Sequence, residues 1–212
     1  MASGENMPRT PGSPNADFDQ TKQELLDRLR SAVTGENPPS SFRALALAAE
    51  VTIPTLRHYF GGREDVLAAV FADCHVGGKH HLEVAATPSG PFAQSIHDFV
   101  QHLVGGFQFG GLSELHKFGL QEGFDDQPVA LSYLAEILEP SLNACQKRLE
   151  AHIRSKEMRD TDPHHAAIGL ISPLLVAFLH QNGLGGSTDY PLDIPKFAAN
   201  HAEAFVRAYR NT

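Results

Sequence analysis

The sequence predicts an all-α fold of about nine helices, with a three-helix N-terminal head and a larger C-terminal helical bundle. Three observations carry that prediction. Apolar residues recur at i, i+3 and i+4 in one stretch after another, as in Leu25, Leu26, Leu29 and Val33, or Leu131, Leu134, Leu138, Leu142, Cys145, Leu149 and Ile153. No run shows the apolar-polar alternation of a half-buried strand. Glycine and proline gather mostly between the periodic stretches, at Gly35 to Pro39, Gly61-Gly62, Thr87 to Pro91 and Gly183 to Pro195.

Residues 1–17 are rich in Gly, Pro, Ser and Asn, a composition that predicts a disordered N-terminal segment. The first helix is expected from Phe18 to Val33. The second, Phe42 to Ala49, is nearly all strong helix formers behind Ser40 and Ser41, whose hydroxyls can accept a first-turn N–H. The pattern breaks at Glu50-Val51-Thr52. Thr52 can cap a third helix, Ile53 to Phe60, with Pro54 in the first turn, where a missing N–H costs nothing. So short a helix is marginal alone. Leu25, Leu29, Phe42, Leu45, Val51, Leu56, Phe60 and Val66 are therefore expected to hold it as a small core.

The fourth helix is expected from Arg63 to about Ala86, with Gly77-Gly78 as a point of bending or fraying. A fifth runs from Phe92 to Val104, followed by a Gly105–Gly111 loop and a sixth helix from Leu112 to Gly123. Pro128 to Met158 reads as one long helix kinked at Pro140. The next opens at Pro163 and is apolar almost all round from Ala166 to Leu179, which implies burial on more than one side. Gly183 to Asp193 reads as a loop, and Pro195 to Tyr209 as the last helix. The expected division is a head over residues 18–70 and a body over 71–212.

With 42% hydrophobic and 20% charged residues in 212, the composition fits a globular protein that buries a real core. Cys74 and Cys145 are only two and have no metal-like CxxC spacing, which favours a reducing compartment and a cytoplasmic location over a disulfide framework. Residues 1–17 lack a signal-peptide layout, and no unbroken apolar run suggests a membrane partner. The net charge of -8 alone argues against nucleic acid. Its distribution does not. Residues 40–63 carry three arginines against one acid, whereas residues 71–212 carry ten basic and sixteen acidic residues. A phosphate meets the local field within a Debye length of about 8 Å.

No nucleophile elbow, phosphate loop or dinucleotide fingerprint is present, so the expectation is not an enzyme and no cofactor. Cys74, His75, His80 and His81 cluster, yet none forms the i, i+4 pair of a helical metal site, and no metal is expected. Phe107, Phe109, His116, Phe118, Tyr133 and Phe178 are candidates to line a ligand cavity; the same spacing also fits plain core packing. Ala166, Ala167, Gly169, Ala198, Ala199 and Ala202 permit close approach of the last two long helices, either to a second copy or within a closed monomer core.

The pattern Ser41-x-Arg43-x-Leu45-Ala46-x-x-Ala49-x-Val51-Thr52-x-x-Thr55-Leu56-x-x-x-Phe60-x-x-Arg63-Glu64-x-Val66 resembles the DNA-binding signature of the TetR (tetracycline-repressor) family. The resemblance implies a helix-turn-helix with its second helix in the major groove. It places base-edge contacts at Thr55 and His58, and phosphate contacts at Ser41, Arg43, Thr52, Arg57, Tyr59 and Arg63. It further implies a homodimer, formed through the last two long helices, on a pseudo-palindromic double-stranded DNA operator. A small-molecule effector in the bundle would shift the spacing of the two heads, with repression as the family default. Three departures stand out. Arg57-His58-Tyr59 replaces the usual Tyr, variable residue and His. Arg63 replaces the usual Lys. Glu50 replaces the turn glycine, which predicts a strained left-handed residue there. Thr55 to Tyr59 also resembles a short MerR-type motif, but Phe60-Gly61-Gly62-Arg63-Glu64 does not continue it. The alternative reading is a helical-bundle ligand-binding protein or enzyme whose head does not act on DNA.

Overall fold

Two apolar clusters meet along one long helix, and that helix organises the rest. The computed structural model describes residues 14–211. The head consists of α1 (Pro14–Val33), α2 (Phe42–Ala48), α3 (Ile53–Phe60) and the first half of α4 (Arg63–Ala86). The body adds α5 (Phe92–Phe109), α6 (Leu112–Asp125) and α7 (Gln127–Tyr133). A π-helical turn, Leu134–Leu138, joins α7 to α8 (Glu139–Arg154) without a break. Then follow α9 (Pro163–Phe178), a second π-helical turn at Leu179–Gly183, the single turn α10 (Gly186–Asp189) and α11 (Ile194–Tyr209). With α7 and α8 counted as one helix, the described residues form nine long helices, the expected number. Among the described residues there is no strand, only an isolated antiparallel bridge between Met158 and Arg210.

Several boundaries differ from expectation, each for a local reason. Helix α1 starts at Pro14 rather than Phe18, because proline is compatible with a first turn. Residues 14–17 of the segment expected to be disordered are therefore helical; residues 1–13 lie outside the described residues. Helix α4 runs unbroken through Gly77-Gly78, which face open space. Helix α5 continues through Gly105-Gly106 to Phe109, so most of the expected loop is helix. The break falls at Gly110-Gly111, where Gly111 has φ +72°. The long helix ends at Arg154, four residues early, in a left-handed turn at Lys156 (φ 62°). The disruption expected at Pro140 takes the form of the π-helical turn just before it, which widens the ladder where the proline ring would meet the Glu136 carbonyl.

The first cluster packs Leu25, Leu29 and Val33 of α1 against Leu45, Leu56 and the α4 residues Val66, Leu67, Val70 and Phe71. Phe42, Val51 and Phe60, expected inside it, are only partly buried. The cluster does not stop at the head. Phe71 lies 6.3 Å from the Phe118 ring and 6.0 Å from Tyr133, so α6 and α7 close the same core. The second cluster gathers the far end of α4 with α5, α8, α9 and α11. Arg148 ties it together while only 2% exposed. Its guanidinium donates to the carbonyls of Ala85 (2.7 Å) and Val84 (2.8 Å) at the end of α4, and to the carbonyl and hydroxyl of Ser95 (3.0 and 2.7 Å).

Pro163–Gly183 is, against expectation, long and apolar enough by composition to cross a membrane. Here its inner face lies in the second cluster, while Ile168 and Val176 stay exposed. Of the six small residues, Ala166, Ala167, Ala198 and Ala202 are buried in the chain's own core, leaving Gly169 and Ala199 nearer the surface.

The α2–α3 turn settles the question of Glu50, which has φ 58° as expected. The Glu50 N–H donates to Leu47 (3.0 Å) and the Val51 N–H to Ala46 (3.0 Å), the pair of bonds that closes a helix through a left-handed residue. Arg28 braces the turn by donating to the Ala49 carbonyl (2.9 Å); its 3.7 Å pairing with the exposed Glu50 carboxylate is screened and contributes little. A side chain in this region costs about 1 kcal/mol relative to glycine, partly offset by the greater unfolded-state freedom of glycine. Glu50→Gly is expected to raise the melting temperature by about 1–3 °C. A fall in differential scanning calorimetry would show that chain entropy outweighs the strain.

Candidate nucleic-acid interface

Local capping aims the head's polar residues outward. Ser41 is extended (φ -126°), and its hydroxyl accepts from the Ala44 N–H (3.1 Å) to start α2. Thr52 starts α3 in the same way, accepting from the Thr55 N–H (3.3 Å), and its hydroxyl lies 2.8 Å from that of Thr55. Leu56, fully buried, fixes the inner face of α3. Ile53, Pro54, Arg57 and His58 consequently form its exposed face, with Thr55 half-buried beside them. On α2, Arg43 is exposed. The Arg57 guanidinium lies over the Phe42 ring at 5.2 Å and joins α2 to α3. Ion pairs among the described residues involve neither Arg43 nor Arg57.

The structure thus brings Ser41, Arg43, Thr52, Thr55, Arg57 and His58 onto two packed helices. Tyr59 differs in part: it stacks on Phe18 of α1 (4.7 Å, 27°) and steadies α3, with His58 edge-on to the same ring at 5.8 Å. Arg63, expected at a phosphate, is engaged within the chain in the absence of DNA. Its guanidinium donates to Glu122 of α6 and to the Ser40 carbonyl (3.2 Å), with Asp126 at 3.7 Å. These partners come from elsewhere in the chain, so the motif alone carried no sign of them. The same holds for the exposed Ile53 and Leu47, whose apolar character reads as core.

The residues expected to line a ligand cavity instead fill space. Phe107 stacks on Phe178 (4.6 Å, 13°) and lies 5.6 Å from His116. His116 Nδ1 shares a 2.6 Å hydrogen bond with the Tyr133 hydroxyl, and Phe118 is 1% exposed. Tyr133 fits because Gly119 has no Cβ, which would sit 2.2 Å from the ring. Phe109 stands apart from the other five, 88% exposed at the end of α5. Open space lies elsewhere. A groove of about 420 Å³ separates residues 33–38, between α1 and α2, from Ser113, Glu114, Lys117 and Phe118 of α6. A second, apolar groove of about 600 Å³ is bordered by Pro173, Val176, Tyr190, Leu192 and Phe197. Of the six expected residues, only Phe118 touches either groove. Among the described residues no group of three or more His, Cys, Asp or Glu is placed to hold a metal ion. Burial pushes the Cys74 thiol up to about 11, so it is not a thiolate at neutral pH.

The geometry defines a class of protein: an all-α chain with a helix-turn-helix head fused through one long helix to a helical body. Its fold is that of the TetR-family transcriptional regulators. A TetR-family regulator from Mesorhizobium loti covers 91% of this chain and 98% of its own, with a TM-score of 0.74 at 15% identity. FadR from Bacillus subtilis, solved with stearoyl-CoA, covers 87% and 97%, with a TM-score of 0.65 at 18% identity. A TetR regulator from Agrobacterium tumefaciens covers 90% and 95%, with a TM-score of 0.58 at 21% identity. No family model matches the sequence, and no curated protein matches it.

Burial holds His116 neutral, lowering its pKa to about 4. The unfolded chain takes up a proton there below about 6.5. The unfolded state therefore binds more protons between those values, and stability falls as pH drops through that window. His116→Gln removes this contribution. Between pH 7 and pH 4.5, urea unfolding is expected to show the wild type losing about 2 kcal/mol more than the variant. An equal loss in both proteins would mean that His116 is charged within the fold.

Proposed function

We propose that this protein is a homodimeric, one-component transcriptional regulator that reads a pseudo-palindromic double-stranded DNA operator and answers to a small-molecule effector. Residues up to about 70 form the DNA-binding head; residues from 71 form the ligand-binding and dimerisation body. The observation that carries the reading is the exposed polar face of α2 and α3, with Arg43 and Arg57 outside any ion pair described, in a chain of net charge -8. His58 and Thr55 face the base edges; Ser41, Arg43, Thr52 and Arg57 hold phosphates, which set register and affinity rather than sequence. Repression is the sense of regulation, the location is cytoplasmic, and no catalytic step or cofactor is involved. FadR, of similar fold, was solved in complex with stearoyl-CoA, which supports a small-molecule effector.

Support for the dimer comes from α9. Ile168, Ser172 and Val176 lie four residues apart along one exposed line, and Val176 is 62% exposed beside the apolar groove. Two exposed aliphatic side chains flanking a small serine, with α11 beside them, suit an isologous contact with a second copy across a two-fold axis.

Arg57→Ala is expected to weaken binding to every duplex alike and to flatten the salt dependence by about one unit of slope. Unchanged affinity and slope in fluorescence anisotropy would take α3 away from the phosphates. Val176→Arg is expected to give folded monomers in light scattering at micromolar protein, with helical content by circular dichroism unchanged because the side chain lies outside the chain's own core. A variant that remains dimeric would remove this line of α9 from the interface.

A further inference from the structure

We propose that Arg63 is a switched phosphate contact: Glu122 and Asp126 of α6 hold its guanidinium in the free protein, and DNA competes with them for it. The inference rests on the DNA-binding reading above and adds its regulation.

Arg63 is the first residue of α4 and stands beside the reading surface. Its guanidinium donates to the Ser40 carbonyl at 3.2 Å, and Ser40 immediately precedes the exposed Ser41 cap of α2. The same guanidinium is held from the other side by Glu122, whose side chain is only 10% exposed, and by Asp126 at 3.7 Å. Arg63 itself is 24% exposed. An arginine offers five donors in a planar fork that matches carboxylate and phosphate equally well. It can therefore serve either partner without a change of chemistry. Leaving Glu122 is unfavourable, because that carboxylate would remain largely enclosed and uncompensated. In the free protein the body wins.

The carboxylates sit on α6, and α6 also forms a wall of the groove against residues 33–38. One helix thus carries both the holder of Arg63 and a surface open to a small molecule. A shift of α6 away from α4 would release a cation beside Ser41, and a shift towards it would hold the cation back.

The test uses full-length protein, a random-sequence duplex of about 30 base pairs and anisotropy titrations across a range of salt. Glu122→Gln/Asp126→Asn is expected to bind several-fold tighter at low salt and to steepen the slope by about one unit, because Arg63 now reaches a phosphate. Adding Arg63→Gln to that pair should cancel the steepening while leaving the general gain from two lost negative charges. Glu122→Gln alone keeps the shape and an acceptor oxygen, so it should fold and move in the same direction by less. If the double and triple variants have the same slope, Arg63 is a strut between head and body and the proposal falls. In that case Arg57→Ala still lowers the slope and the DNA-binding reading stands. A folded wild type that binds no duplex overturns both.

Discussion

Arg148 carries a charge inside the body with no carboxylate in contact among the described residues, and the position of α4 depends on it. The carbonyls of Val84 and Ala85 are among the last of α4, which no further turn of helix can satisfy. They also stand at the negative end of the helix dipole, which is why a guanidinium is tolerated there at 2% exposure. Serving Ser95 with the same group fixes α5 against α4 and α8. Helix α4 is 24 residues long, about 36 Å, so an error in angle at this end is magnified at the head.

At its other end α4 is gripped by packing rather than by a hinge. The head core runs through Phe71 into Phe118 and Tyr133 without a gap. Polar contacts follow the same line: Arg30 of α1 pairs with Asp73 at 2.5 Å, and His75 shares a hydrogen bond with Glu136 at 2.8 Å. A close-packed interior transmits displacement instead of absorbing it. Movement of α6 or α7 therefore reaches α1 and α4 directly. The buried His116–Tyr133 pair lies on that path, and replacing either partner would strand the other's polar atom in the core.

The two non-glycine left-handed residues share one geometry for one reason. Glu50 after α2 and Lys156 after α8 each follow a helix that must stop abruptly, and each closes with the paired bonds seen at Leu47 and Ala46, or at Ile153 and His152. The first turn sets α3 against α2. The second sends the chain back towards its C-terminus, where the Met158–Arg210 bridge holds it.

What the sequence determined by itself is what short-range physics decides. The helix-turn-helix was legible because Ser41, Thr52 and Pro54 are capping and first-turn residues acting within three positions. The left-handed Glu50 was legible through the resemblance, which puts a glycine at that turn and is matched in spacing by the residues on both sides. The number of long helices followed from apolar periodicity, which is also local. Partners distant in the chain were not legible. Nothing in the motif around Arg63 shows that Glu122, 59 residues away, pairs with it. Tyr59 needs Phe18, and Tyr133 needs the bare backbone of Gly119. Phe107 and Phe109 are two residues apart, yet one is buried and the other exposed, because α5 runs on through two glycines that read as a loop. Ala202 carries the same small side chain whether it meets a second copy or its own core, and only the packing of α11 put it in the core. In each case the side chain's chemistry is fixed by its type, but its burial is fixed by which element arrives next to it, and that is a property of the whole packed chain.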